Sequence, residues 1–298
     1  MPREVDPAEV GRVGRLGSSD VLEALRSVSR GEVFDLDAGR FVGMPQWESH
    51  PTFMLTSFRT PQGTRRDRDV ALLDPSQNSA DFRLHTELMI TGMHIGTHID
   101  ALNHAACGLE GDTFFAGYGP DDVGDFGPQR ADAASIPPIF TRAVMLDIAS
   151  GQGVERLPAG TAITIADLQR AEAAQGVIPQ GGAVLLRTGL MTTWPDRESF
   201  GAAAGAGIDL AAARWLADER DVVLVGSDTP TVEQVPSADP NHPHPVHDLL
   251  LRRHGVHLLE NLWLEDLAAH GEHRVTLVVL ALKVEGATAS MVRPVALV

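Results

Sequence analysis

The residues most capable of chemistry lie in one stretch of eleven, HIGTHIDALNH at positions 94–104. The stretch holds three of the chain's twelve histidines together with one aspartate. Imidazole nitrogens and carboxylate oxygens are the donors with which proteins bind zinc and related divalent ions. The stretch therefore indicates a metal centre, on the condition that the backbone brings these donors to one point.

The spacing of the donors is that of an extended strand rather than of a helix. In a helix, Asp100 would lie about 200° around the axis from His98, whereas in a strand alternate residues share one face. A straight strand would still separate His94 from His98 by about 13 Å, too far to share an ion with bonds of about 2.1 Å. We therefore predict a bend at Gly96, which also leaves no side chain among the ligands. The predicted His₂-carboxylate ligand set is His94, His98 and Asp100.

His104 lies four residues beyond Asp100, past an apolar pair, and so need not share the ligand face. An imidazole has an ordinary pKa of about 6.5, which suits proton transfer next to an activated water molecule. We predict that His104 is the general acid/base. The alternatives are a fourth metal ligand and a structural hydrogen bond.

Composition excludes several classes of partner. The 298 residues are 43% hydrophobic and 21% charged, with a formal net charge of −16. Nucleic acids and anionic membranes need a basic face, which this chain lacks, whereas a cation is favoured in an acidic field. The only cysteine, Cys107, rules out a disulfide framework, and we predict it to be a core residue. No signal peptide or apolar run of about 20 residues is apparent, so we expect a cytoplasmic protein with a small-molecule substrate.

Alternating strand and helix patterns indicate an α/β fold with sites at the strand ends. Apolar and β-branched runs predict strands at 33–36, 142–148, 183–187, 222–226 and 276–284. Caps and helical spacing predict helices from Asp20 to before Gly31, from Thr164 to Gly176, from Asp209 to about Glu219, and from Pro245 to His254. The polar residues 60–82 predict a long surface excursion. We predict a helical extension at 1–30 and one domain at 31–298, with a mixed sheet flanked by helices.

The pattern His94-x-Gly96-Thr97-His98-x-Asp100-x-x-x-His104 resembles the signature of the metal-dependent cyclase family, which includes bacterial kynurenine formamidase and isatin hydrolase. Family members usually have proline where this chain has Leu102. Weaker similarities cover most of the chain, at 34–36, 43–47, 186–189, 225–230 and 247–262. The N-terminus and the insertion at 60–82 depart from the family pattern.

The resemblance implies a swivelling β/α fold and a site for one or two divalent ions. Asp100 would bridge two ions, and His247 and Glu260 would complete the ligand shell. Glu260 would be an acid on an otherwise apolar strand face, where a buried carboxylate needs a cationic partner. His244 remains the alternative to His247, because several histidines crowd the same region.

The resemblance further implies that Pro45 and Trp47 line the substrate pocket, although Trp47 could equally be an ordinary packing residue. It also implies a homodimer or homotetramer, and the apolar stripe of the N-terminal helix would need such cover.

Together these observations predict a metal-dependent hydrolase that opens an amide, cyclic imide or lactone bond, resembling the arylformamidase that hydrolyses N-formylkynurenine in tryptophan catabolism. The ion would activate water and polarise the carbonyl group, while His104 moves the proton to the leaving group. Zinc and manganese are the expected ions, and ferrous iron also accepts nitrogen and oxygen ligands. The alternative is a non-catalytic protein that uses the metal to bind a small carboxylate. Such a binder would not need His104.

Overall fold

The computed structural model describes residues 4–67, 76, 78–108 and 111–298, which contain fifteen strands. In chain order these strands are β1 (Val33–Asp35), β2 (Met54–Arg59), β3 (Thr86–Ile90), β4 (His98–Asp100), β5 (Val123–Gly124), β6 (Gly127–Pro128), β7 (Ile139–Asp147), β8 (Ala162–Ile163), β9 (Ala183–Arg187), β10 (Gly207–Ile208), β11 (Leu224–Ser227), β12 (His257–Glu260), β13 (Arg274–Val279), β14 (Ala289–Met291) and β15 (Val295–Leu297). Nine of them form one mixed sheet in the order β1-β15-β13-β7-β9-β11-β12-β4-β14. The others form three two-stranded pairs, β2 with β3, β5 with β6, and β8 with β10.

Four neighbouring strands at the centre of the large sheet, β7, β9, β11 and β12, run parallel to one another. Their side chains alternate between two apolar layers, as Val184 and Leu186 of β9 face one layer and Ala183 and Leu185 face the other. Such strands appear in the sequence as continuous apolar runs because both of their faces are covered. The strands on either side of this central group are antiparallel to their neighbours.

Helices cover both faces of the sheet. The helices of the described residues are α1 (Ser18–Ser27), α2 (Pro61–Asp67), α3 (Ile148–Gly151), α4 (Ile165–Gln175), α5 (Arg197–Ala203), α6 (Leu210–Asp218), α7 (Pro245–His247) and α8 (Glu265–His270). A π-helical segment, Asp248–Arg253, continues α7, and short 3₁₀ helices lie at 7–9, 11–15, 115–117, 120–122, 133–135 and 190–193. Helices α4 and α6 pack in one apolar layer, and α8 packs in the other. Within these ranges no helix has the length and apolarity needed to cross a bilayer.

The structure confirms the predicted start of one helix and the predicted bounds of one strand, and it moves the start of a second helix. Helix α4 begins after Thr164, whose amide donates to Asp167 at 2.9 Å while its hydroxyl accepts the Asp167 amide at 3.3 Å. Strand β9 has the predicted bounds. Helix α1 instead begins at Ser18, because Asp20 occupies the third helical position and accepts the amide of Gly17 at 2.8 Å.

Other predicted bounds are wrong for reasons visible in the sheet. The strand predicted at 276–284 ends at Val279, because Val279 pairs with Ile139, the first residue of its partner β7. The helix predicted at 245–254 is α-helical only in its first turn. The stretch 60–82 contains helix α2, and part of it, 68–75 and 77, lies outside the described residues.

Strands β2 and β3 form a separate two-stranded ribbon that was not predicted. Both strands expose apolar residues, including Leu55, Phe58, Leu88 and Met89. Neither strand alternates buried with exposed residues, and this alternation is the pattern by which a half-buried strand is recognised.

The N-terminal residues pack on the body of the chain. The Arg12 amide donates to the Gly255 carbonyl at 2.7 Å, and its guanidinium lies 3.1 Å from the Asp221 carboxylate. Helix α1 contacts β7 and β13, where the Thr276 hydroxyl donates to the Ala24 carbonyl. The boundary at residues 30 and 31 stays a prediction.

Candidate metal centre

Three of the predicted donors stand on two paired strands. Strands β4 and β12 are antiparallel, and Glu260 lies directly opposite His98. Alternate residues of a strand point to the same side, so His98 and Asp100 share a face with Glu260. Their neighbours Ile99 and Leu259 point into the opposite apolar layer. One ligand atom from each of the three donors lies within 4.8 Å of the other two.

The predicted bend before β4 is present. Gly96 has a φ of +65°, in the left-handed region that glycine adopts without steric cost. His94 consequently lies in a turn rather than in the strand, and its Nδ1 is 3.0 Å from Asp100 Oδ1. The ring centroids of His94 and His98 are 5.1 Å apart. The bend therefore brings together imidazoles that a straight strand would keep apart.

A second reason that we gave for Gly96 is wrong. A Cβ atom at this position would not project among the ligands but would meet Met44 Cε at 3.0 Å and Arg40 Cγ at 3.3 Å. The glycine is needed for its backbone conformation and for the packing of the turn beneath the ligands.

Four buried donor atoms of this cluster have no hydrogen-bond partner among the described residues: His98 Nε2, both carboxylate oxygens of Asp100, and Glu260 Oε1. His98 donates its Nδ1 hydrogen to the Gly96 carbonyl at 2.8 Å, which leaves Nε2 facing the carboxylates. Buried polar atoms are nearly always paired, because an unpaired one costs about 1–3 kcal/mol. A divalent cation held by these three residues would supply the missing partner, so the residues present fit such an ion.

His247 reaches the same point from helix α7. Its Nε2 lies 3.4 Å from Glu260 Oε1 and 3.8 Å from Asp100 Oδ2. Its Nδ1 donates to the buried carboxylate of Glu233, which also accepts the Val246 amide at 2.9 Å. A carboxylate bound to the far nitrogen fixes the tautomer and orientation of an imidazole and is typical of metal-ligating histidines. The geometry thus favours His247 over its predicted alternative.

That alternative, His244, bonds to Glu233 at 3.1 Å, and its side chain is 46% exposed. Burial alone would raise the pKa of Glu233, but the hydrogen bonds from His244 and His247 outweigh burial and lower this pKa to about 2. Glu233 was not predicted, because no motif or spacing in the sequence connects it to the histidine stretch. The only signal is that it is an acid among the apolar residues Val232 and Val235.

His104 lies beside the predicted ligands. Its ring packs against that of His94 with centroids 4.0 Å apart, and the centroid of His247 is 5.9 Å away. Ligand atoms of His94, Asp100 and His104 lie within 4.8 Å of one another. Burial lowers the pKa of His104 to about 3, although the Asp100 carboxylate opposes this effect. The imidazole is therefore uncharged near neutral pH, which is the form that a metal ligand or a proton acceptor needs, and both of its roles stay predictions.

His94 has a second contact that the sequence did not indicate. Its Nε2 lies 2.9 Å from the hydroxyl of Thr288, in the segment that precedes β14. The nitrogen that faces Asp100 is therefore the one available to an ion.

A cavity of about 650 Å³ opens onto these donors. His94, His104, His247 and Glu260 form part of its wall, together with Trp47, Ser49, His50, Ala105, Ala106, Cys107, Gly108, Pro230, Thr231, Asn241, His242, Pro243, His244 and Asp248. Trp47 therefore lies where the resemblance implied. Pro45 is buried and is not part of the wall, so its predicted contact with substrate is not supported by this geometry.

Cys107 is not the core residue that we predicted. It is only half-buried and lines the cavity rather than the core, because the segment after His104 runs along the cavity wall. Burial and the neighbouring Asp248 carboxylate raise the pKa of its thiol, which disfavours the reactive thiolate.

Comparison with known proteins adds to this geometry. Residues 34–234 match the family model named Cyclase. This match covers more than half of the chain, and the chain belongs to that family. Membership agrees with the resemblance seen in the histidine stretch.

One curated protein and two solved structures are similar to this chain. The kynurenine formamidase of Polaromonas naphthalenivorans (strain CJ2) is 41% identical over 112 residues, which are 38% of this chain and 44% of that protein. The match thus spans less than half of the formamidase. A crystal structure described as a novel cyclase has a TM-score of 0.84 at 25% identity, with 99% of this chain and 100% of that one covered. Isatin hydrolase A from Ralstonia solanacearum has a TM-score of 0.68 at 23% identity, with 95% and 98% covered. The predicted fold, a mixed sheet flanked by helices, is confirmed.

Proposed function

We propose that this protein is a metal-dependent hydrolase that opens an amide, cyclic imide or lactone bond of a small molecule. The observation that carries the proposal is the set of buried, unpaired donor atoms on β4 and β12, one of whose residues, Glu260, lines a cavity of about 650 Å³ together with His94 and His247. A site that only stabilised the fold would pair its donors with one another and would not open onto a cavity. A cavity of this volume accommodates a small-molecule substrate.

The names of the relatives support the reaction class. The similar protein from Polaromonas naphthalenivorans is a kynurenine formamidase, and a protein of similar fold is an isatin hydrolase. A formamide and the ring amide of an isatin share a carbonyl carbon bonded to nitrogen. We infer that the substrate of this protein carries such a bond, or the corresponding ester of a lactone.

Each residue of the site has a proposed role that follows from its position. A bound divalent cation would supply Lewis acidity, which polarises a carbonyl group and activates water. His94, His98, Asp100, His247 and Glu260 would hold the ion. Glu233 would keep the His247 ring in one orientation. His104 would accept a proton from the attacking water and deliver it to the leaving nitrogen or oxygen.

Metal-free protein tests the proposal when it is loaded separately with zinc and with manganese. Bound metal is measured by elemental analysis, and hydrolysis is measured on a formanilide, an isatin and a lactone. His98→Ala should lose the metal and the activity. His270→Ala is the matched control, because His270 lies on α8 next to Glu32 and contacts none of the donors. Full metal occupancy in the His98→Ala variant would contradict the assignment.

The rival function is metal-dependent binding of a small carboxylate without turnover. It would predict tight binding of a carboxylate to the loaded protein and no hydrolysis of any substrate tested. Calorimetry with formate or benzoate separates the two functions, and the effect of His104→Ala separates them again.

We also propose that the protein is a homodimer or homotetramer. The β2–β3 ribbon supports this, since Phe58 is 69% exposed and Leu55 is 52% exposed on the two-stranded ribbon. Large exposed apolar patches usually mark interaction surfaces. Sedimentation at micromolar concentration gives the mass, and an active monomer would contradict the proposal.

A further inference from the structure

Asn261 directly follows Glu260 and has a backbone conformation that few residues other than glycine adopt. Its φ is +56°, and the residue is 6% exposed. Asparagine is among the residues that tolerate this left-handed region best. Its backbone is fixed on both sides, because its amide donates to the Thr229 carbonyl at 3.0 Å and its carbonyl accepts the Thr97 hydroxyl at 2.7 Å.

The side chain of Asn261 reaches from the end of β12 to the turn before β4. Its Nδ2 donates to the Gly96 carbonyl at 3.3 Å. The same carbonyl accepts the Nδ1 hydrogen of His98 at 2.8 Å. Two donors therefore hold one carbonyl, and that carbonyl belongs to the left-handed glycine at which the chain bends.

We propose that Asn261 is a positioning residue for the metal centre, an inference that rests on the metal-dependent function above. By holding the Gly96 carbonyl, the Asn261 amide fixes the acceptor that orients the His98 ring. His98 Nε2 is then presented between Asp100 and Glu260 before any ion arrives. Loss of such an outer contact typically weakens metal binding by about 10–100-fold.

A purely structural role is a poorer explanation of this side chain. The hydroxyl of Thr97 already joins the turn to the Asn261 carbonyl at 2.7 Å, so the side-chain amide is not needed to hold the two segments together. What the amide adds is a second donor on the carbonyl that His98 uses. The contact is therefore specific to the orientation of the ligand.

Asn261→Gly tests this proposal, because glycine adopts the left-handed backbone conformation without steric cost and lacks the side-chain amide. Metal-free protein is titrated with Co²⁺, whose visible absorption reports both affinity and coordination geometry. We expect the Kd for cobalt to rise about 10–100-fold and the absorption bands to change, while the unfolding temperature without metal changes little. Thr276→Val is the control for a general loss of stability, since its hydroxyl bonds to Ala24 on α1, away from the donors.

Asn261→Asp provides a second test, because its charge and its hydrogen bonding predict opposite changes in cation affinity. The added negative charge alone would tighten cation binding, but a carboxylate has no hydrogen to give the Gly96 carbonyl. The proposal expects weaker cobalt binding. Wild-type affinity in Asn261→Gly, tighter binding in Asn261→Asp, or an equal loss of affinity in Thr276→Val would each overturn it. Wild-type protein that bound no cobalt would instead overturn the metal centre itself, so the two failures are distinguishable.

Discussion

Two buried clusters of charged side chains lie at strand ends of the large sheet, and they differ in how their charges are paired. At the end of β9, Arg187 donates to Asp147 at 2.9 Å and to Glu265 at 2.7 Å. Burial would lower the pKa of Arg187, but the two carboxylates outweigh burial and raise this pKa above its usual value. At the other cluster, Asp100 and Glu260 face imidazoles and leave carboxylate oxygens unpaired.

The difference separates a structural cluster from a binding cluster. The Arg187 cluster contains its own cation, so nothing further is required to satisfy it. The cluster on β4 and β12 has two buried acids without a permanent cation, an arrangement that costs free energy unless an ion is supplied. Burial and charge alone do not distinguish the two clusters, but unpaired donor atoms do.

The largest expected effect comes from Asp100→Asn. This change keeps the shape of the side chain and removes the charge at the centre of the donor set, so we expect metal binding to be lost and turnover to fall to the uncatalysed rate. Elemental analysis and a hydrolysis assay measure both losses. The variant should unfold at nearly the temperature of metal-free wild type, because Asp100 has no permanent cationic partner that the change would leave unpaired. A variant that still held its metal would show that the unpaired oxygens serve another purpose.

His104→Ala separates chemistry from coordination within the unpaired cluster. If His104 transfers the proton, the variant keeps its metal and loses about 10²–10⁴-fold in turnover. If His104 is a ligand, metal affinity falls instead, and excess metal restores part of the rate. A metal titration that follows turnover distinguishes these results, and near-wild-type turnover in saturating metal would reject the catalytic role.

Arg187→Met tests the paired cluster. It leaves the buried Asp147 and the half-buried Glu265 without a cation, so we expect a loss of about 3–5 kcal/mol in the free energy of unfolding. Metal affinity should not change. Urea denaturation measures the loss. Arg65→Met is the matched control, because the ion pair of Arg65 with Asp81 is exposed and such pairs contribute about 0–1 kcal/mol. Equal losses in the two variants would remove the contrast between buried and exposed pairs.

Glu233→Gln should have the smallest effect, about 10–100-fold in metal affinity, because the His247 ring loses its charged acceptor. The change should also alter how the unfolding temperature depends on pH. The pKa of Glu233 is lowered to about 2 in the folded protein, so its carboxylate stabilises the fold above the ordinary carboxyl pKa. That contribution is lost as the pH falls from about 4.5 toward about 2. The unfolding temperature of Glu233→Gln should therefore fall less than that of wild type over this range, and parallel curves would contradict the assignment.

What the sequence could predict follows from how far apart the interacting residues are along the chain. His94, His98 and Asp100 lie within seven residues, so strand periodicity and one glycine sufficed to place them together. Glu233 and Thr288 reach the site from segments more than a hundred residues away, and their approach depends on the order and register of the sheet. No local pattern encodes that register.

The errors have the same origin. Cys107 follows a ligand segment whose next residues form a cavity wall, and a cavity leaves no periodic trace in the sequence. The strand predicted to reach residue 284 is apolar enough to continue, but its partner strand ends first. Both features are properties of the assembled sheet rather than of a single segment.

Strand β4 is only three residues long, and it joins β14 to the rest of the sheet through β12. The proposed ion would take ligands from β4, β12 and α7 together, so it could bind only when these elements are assembled. By mass action, an ion present at 1,000 times its Kd would stabilise the folded chain by about 4 kcal/mol. A chelator would then lower the stability of the folded chain, because it would remove the ion that joins these three elements.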